Sequence, residues 1–150
     1  MKKILTLAYL FMNMNLFSQA EKINLDSIFT IVDMPPEFVG GQSAMFKYLA
    51  TTIRYPAFAR ENGIDGNVYI GFVVDADGSI VDVVVKGSKL TGSNYDTKKK
   101  KFIYSDLKSD ASLYTESVRV VSAMPKWKPG SIKGTVVRVA YTLPIKFKLE

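Results

Sequence analysis

The chain has neither cysteine nor histidine among its 150 residues. Those absences exclude disulfides, thiol nucleophiles, Cys/His zinc sites and imidazole acid–base chemistry. Tryptophan occurs once, at Trp127, and proline six times. Carboxylate chemistry and a Ser or Lys nucleophile remain open. Apolar residues are plentiful, at 47%, which suits one domain with a packed core and some appendages. The formal charge is +6. Such a balance fits nucleic acid, an anionic membrane surface, an acidic partner, or mere solubility.

Long apolar runs are scarce too. The exception is the start, where "MKK" precedes "ILTLAYLFMNMNLF" and then "FSQA". A basic beginning, a short apolar middle and small residues at Ser18 and Ala20 form the layout of a secretory signal peptide, cut after Ala20. The alternative is a membrane anchor over residues 4–20. That run is short for a span and carries Asn13 and Asn15. Cleavage removes Lys2 and Lys3 and lowers the net charge to +4, from +6. An exported chain does not meet the chromosome, so nucleic acid is not an expected partner.

The expected domain plan is a signal peptide at 1–20, a lead-in at 21–41, and one domain at 42–150 with an inserted loop at 87–112. In the lead-in, "SIFTIVD" at 27–33 alternates weakly and predicts a short edge strand. "MPPEFVGG" stops it. A helix is expected at 42–53, with Met45, Phe46, Leu49 and Ile53 on one face. "RYP" ends it, and Pro56 starts a second short helix, "PAFAREN", capped by Gly63.

The clearest signal is a β-hairpin. "NVYIGFVVD", 67–75, places Val68, Ile70, Phe72 and Val74 on one face, and "SIVDVVVK", 79–86, does so for Val81, Val83 and Val85. "DADG" turns between them, with Gly78 free to take positive φ. The loop 87–112 is polar and carries Lys98–Lys101, a solvated run before it is an anionic-surface patch. A small hairpin is expected near "KKFIYS". A further helix spans 113–124, capped by Asp110 or Ser112, with Leu113, Ser117, Val120, Val121 and Met124 on one side. The last strand, 135–149, alternates throughout. The predicted architecture is α+β: a small antiparallel sheet with two helices on one face, in the order (β)αββαβ.

Catalytic constellations are thin. Asp75, Asp77 and Asp82 crowd the hairpin, yet the twelfth position of a calcium loop begun at Asp75 is Lys86, and strands flank it. Gly40–Gly41 precedes a helix without the Lys or Ser/Thr of a phosphate loop. Glu37 and Glu61 have no evident partner, and Ser residues lack a His base, although a Ser–Lys pair stays open. The expectation is a non-enzymatic protein without cofactor or metal. What remains is an edge. Pro144, Lys146 and Lys148 blunt the end of the last strand, while 135–142 carries no such protection. Val136, Val137, Arg138, Val139, Ala140, Tyr141 and Thr142 are the candidate rim for an added peptide strand. The alternative is that a partner subunit or residues 27–33 cover it.

"YLATTIRYPAFARENGIDGNVYIGFVVDADGSIVDVVV", "MPKWKPG" and "GTVVRVAYTLPIKFKL" closely resemble the C-terminal domain of TonB in its Bacteroidetes form. The similarity covers about 35–87 and 114–149 and rests on Tyr55, Pro56, Gly66, Asp77, Gly78, Pro125, Trp127, Pro129, Gly130 and Pro144. It implies a periplasmic module that grips the TonB box of outer-membrane receptors along the edge from Val136 to Thr142. It also implies that Pro129 and Gly130 form a stiff turn before the last strand, with Trp127 plugging the core. The family's membrane helix and Pro-rich linker are not recognised here, so an inner-membrane motor complex is not implied. Self-pairing of edges into a homodimer is the competing expectation.

Overall fold

The computed structural model describes residues 22–92, 95–96, 101–102 and 108–149. The expected signal peptide, and Lys98–Lys100 of the lysine run, lie outside the described residues. The elements are β1 (Ile28–Phe29), α1 (Gly41–Thr52), α2 (Ala57–Glu61), β2 (Asp65–Val74), β3 (Ile80–Thr91), β4 (Tyr95–Asp96), β5 (Lys101–Phe102), α3 (Lys108–Ser122), β6 (Gly130–Ile132) and β7 (Thr135–Phe147). The main sheet runs β1-β7-β2-β3, with β6 also paired to β7. β4 and β5 form a separate small hairpin inside the polar loop.

β2 is interior, with β3 paired on one side and β7 on the other, both antiparallel to it. Its Val68, Ile70, Phe72 and Val74 are buried. On β7, Val137, Val139, Leu143, Ile145 and Phe147 point to the same side. The β2–β7 register holds without slip from Gly66↔Phe147 to Val74↔Val139. β3 is less regular. Asp82 adopts φ 53, and the pairing with β2 shifts twice, so strict alternation fails there. Of Val81, Val83 and Val85, expected on one face, only Val83 packs against the core; Ile80 joins it, Val81 does not, and Val85 is exposed.

The helices cover the buried face. α1 contributes Met45 and Leu49, and α3 contributes Leu113, Ser117, Val120 and Val121. Phe46 does not join them: it is 57% exposed, because two buried positions a turn apart satisfy so short a helix. α3 begins at Lys108, earlier than the pattern suggests, so Asp110 and Ser112 lie inside it rather than at its cap. Pro56 is the N-cap of α2, and the Tyr55 hydroxyl donates to the Ile64 carbonyl while its ring meets Phe147 edge-on.

A polar latch fixes the end of α1 to α3. Glu116 accepts from the Arg54 amide at 2.6 Å and from Arg119 at 2.7 Å, and Arg119 donates to the Thr52 carbonyl at 2.8 Å. Hydrogen bonding from Arg119 holds the Glu116 carboxyl below its ordinary pKa, against the opposing effect of burial. Folding therefore favours the ionised form. Its contribution is complete above the ordinary value of 4.5 and is lost as pH falls through the lower folded value. Glu116→Gln is expected to cost about 1 kcal/mol at pH 7 and to weaken the dependence of stability on acid, as read by urea melts from pH 7 to 3.

The joint between α3 and β7 is stitched rather than loose. The Trp127 amide donates to the Gly78 carbonyl at 2.8 Å. Gly78 sits at φ 83, and a Cβ there would lie 2.1 Å from the Trp127 carbonyl oxygen. Lys126 reaches Asp77 at 2.7 Å and, with Ser79, holds that exposed carboxylate well below its usual range. The lead-in returns alongside: Lys128 pairs with Glu37, and Ser131 with Met34. Pro129 and Gly130 do not turn the chain into the last strand. Gly130 opens β6, and the turn is Lys133–Gly134, with φ 48 and 78, a two-residue hairpin connection.

Candidate peptide-docking edge

β7 lies between β2 and β1 in the sheet. β2 pairs with Val139 to Phe147. On the opposite side β1 offers a parallel pairing at two positions, Ile28↔Arg138 and Phe29↔Val139. β6 pairs with Thr135 to Val137. Thus Val136 and Val137 sit in the β6 hairpin, and Arg138 and Val139 lie beside β1. Ala140, Tyr141 and Thr142 have no second strand among the described residues.

The direction of the backbone groups follows from Pro144. It faces Tyr69 across an unshifted ladder, yet it has no N–H to give. Its nitrogen therefore points away from β2, where proline is tolerated. By the two-residue alternation, the amides of Ala140 and Thr142 point outward as well.

Each face beside this open rim has a depression. On the helix side, Phe38, Gln42, Met45, Trp127 and Tyr141 line a cavity of about 130 Å³. On the other side, Ile28, Thr30, Gly71, Val84, Ala140 and Thr142 border a groove of about 610 Å³. Gly71 and Ala140 keep its floor low. A strand added at the rim directs successive side chains alternately to the two depressions.

Trp127 forms the deep wall of the smaller one. It is 4% exposed and meets Phe38, Phe72 and Tyr141 with ring centroids 5.8, 5.5 and 5.3 Å away. Its Nε1 is buried without a hydrogen-bond partner. Arg138 borders the rim, its Nε 3.5 Å from Asp75 and its Nη2 3.8 Å from Asp82. The Asp75 contact is an ion pair rather than an aligned hydrogen bond. No cluster of three or more Asp or Glu able to hold a metal occurs among the described residues.

The sequence pattern singles out Trp127 and Tyr141 but not Phe38, Met45 and Gln42 as their neighbours. It also missed Arg138 as the partner of the hairpin aspartates. The crowding of Asp75 and Asp82 was the available signal, since such charges near a strand call for a cation.

Residues 51–92, from the last turn of α1 through β3, match the family model of the Gram-negative bacterial TonB protein C-terminal. Over that stretch the chain is similar to the TonB C-terminal family. Two NMR solution structures of the Helicobacter pylori TonB C-terminal domain are similar to it at 24% identity and a TM-score of 0.42. The alignments cover 71% of this chain, and 78% and 90% of those chains. No curated protein matches the chain. No helix among the described residues is long and apolar enough to cross a membrane.

Proposed function

We infer that this TonB-type domain binds TonB-dependent outer-membrane receptors by accepting an extended receptor segment along Ala140–Thr142 of β7. The observation that carries this is an outward row of strand groups without a second strand among the described residues, flanked by a depression on each face. Backbone bonding supplies affinity, and the two depressions supply side-chain selection. No cofactor or catalysis enters. The chain acts in the periplasm after cleavage behind Ala20, which N-terminal sequencing of the cellular protein tests: a start at Glu21 supports it, and retention of residues 4–20 overturns it.

The binding test uses synthetic peptides from the N-terminal periplasmic segments of outer-membrane receptors of the same cell. Titration into ¹⁵N-labelled protein is expected to shift the Ala140, Tyr141 and Thr142 amides first. Shifts confined to the helices, or no binding by any receptor segment, would falsify the reading.

A second reading is self-association. Ile28, Ile31, Met34 and Val136 are 47%, 86%, 65% and 40% exposed near the start of β7. Sedimentation across a dilution series separates the two. A dimer that persists at low concentration and excludes receptor peptides favours edge pairing between copies.

A further inference from the structure

We propose that β1 is a built-in occupant of the guest's place on β7, and that binding is gated by release of residues 27–30. This rests on the strand-addition reading above. The open rim is short. It offers Ala140, Tyr141 and Thr142 before Pro144, which has no donor. Strands commonly run about five to six residues, so a guest of ordinary length needs the rim at Arg138 and Val139 too. Those are the two residues that β1 holds.

β1 is built to let go. It pairs through two residues only, and Ile28 is 47% exposed. Ile31, just beyond it, is 86% exposed. The lead-in is secured separately further on. The Asp33 and Met34 amides reach the Ser131 carbonyl at 3.1 Å, and the Glu37 amide reaches Lys128 at 3.0 Å. The Lys133 amide adds a bond of 2.6 Å to the Asp33 carboxylate. Residues 27–30 can therefore swing away while the stitching from Asp33 onward stays intact.

β1 also has the shape of a guest. Ile28 and Thr30 already border the groove that Ala140 and Thr142 share. A tethered occupant competes at an effective concentration in the millimolar range, so even a weak strand lowers apparent affinity. The parallel direction of β1 makes it a competitor residue for residue with any guest laid the same way along β7.

The test uses the full exported chain and a fluorescein-labelled peptide, NLDSIFTIVD, that copies residues 24–33. Ile28→Gly/Phe29→Gly loosens β1, because glycine weakens a strand. It is expected to bind the peptide about tenfold tighter than the native chain. Ile28→Cys/Arg138→Cys locks β1, since registered neighbours in a sheet stand about 5 Å apart, within disulfide reach. The chain holds no other cysteine. The oxidised form is expected to bind at least about tenfold more weakly than the same molecule reduced. Circular dichroism checks folding, and the redox comparison within one molecule decides the matter if the glycine variant does not fold.

Equal peptide affinity in oxidised and reduced forms overturns the gate, as does failure of the peptide to bind any form. Receptor segments titrated into the same two forms keep the readings apart. Binding that ignores the lock overturns the gate and leaves receptor recognition standing. A gated response to the copied peptide, with no receptor segment bound, overturns receptor recognition and leaves the gate.

Discussion

Trp127→Ala is expected to lower stability by about 3–5 kcal/mol, the range for removing a large buried aromatic. Such a loss is a large share of the ordinary stability of a small domain, about 5–15 kcal/mol. Trp127 touches α1's approach through Phe38, β2 through Phe72 and β7 through Tyr141. Its deletion opens a cavity where three elements meet, and rigid strands on two sides cannot close over it. Urea and thermal melts followed by circular dichroism check this. A loss below about 1 kcal/mol would show that the site collapses freely. Trp127→Phe separates packing from polarity. Phenylalanine keeps most of the apolar area and removes the unpartnered Nε1–H, so its cost should be well under half that of alanine.

Ala140→Pro should leave the domain folded and weaken a bound receptor segment by about 100-fold or more, combining a lost outward donor with a ring in the guest's path. Val139→Pro is its counterpart. The β2 register from Gly66↔Phe147 to Val74↔Val139 is unbroken, so the Val139 amide points inward. Removing it costs about 1–3 kcal/mol of stability, before any effect on binding. Calorimetric titration and melts on both variants read the two effects separately. If Val139→Pro folds normally and Ala140→Pro melts, the assignment of outward and inward groups is reversed. If the folded Ala140→Pro protein binds as the native chain does, the guest does not use this rim.

Much of the fold was legible because it obeys a two-residue period. The faces of β2 and β7 follow directly from Val68 to Val74 and from Val137 to Phe147. β3 was read less well, because Asp82 takes a positive φ that no alternation rule anticipates. Phe46 was misplaced for a related reason. Spacing names a helix face but not its width, and a sheet this small fills with fewer side chains. The turn before β7 was sought at Pro129 and Gly130, where stiff residues suggested it. Lys133–Gly134 makes it instead, since a tight hairpin needs positive φ rather than a fixed negative one.

The surroundings of the candidate edge were legible in part. Its outer pattern was plain from Pro144 and the unprotected stretch before it. That β1 would cover Arg138 and Val139 was not, because pairing between segments about 110 residues apart leaves no local trace. The same holds for Met34 and Glu37, which bond to Ser131 and Lys128 from a segment whose prolines exclude a regular strand.

Those last contacts decide where a mechanical load would travel. Tension applied to the backbone upstream of Asp33 reaches Lys128 and Ser131 through Met34 and Glu37. Part of it passes through the Lys133–Gly134 corner into β7, beside the covalent path from Glu37 to α1. A receptor segment aligned with β7 would feel that tension as sliding shear, all its rungs strained together rather than peeled one by one.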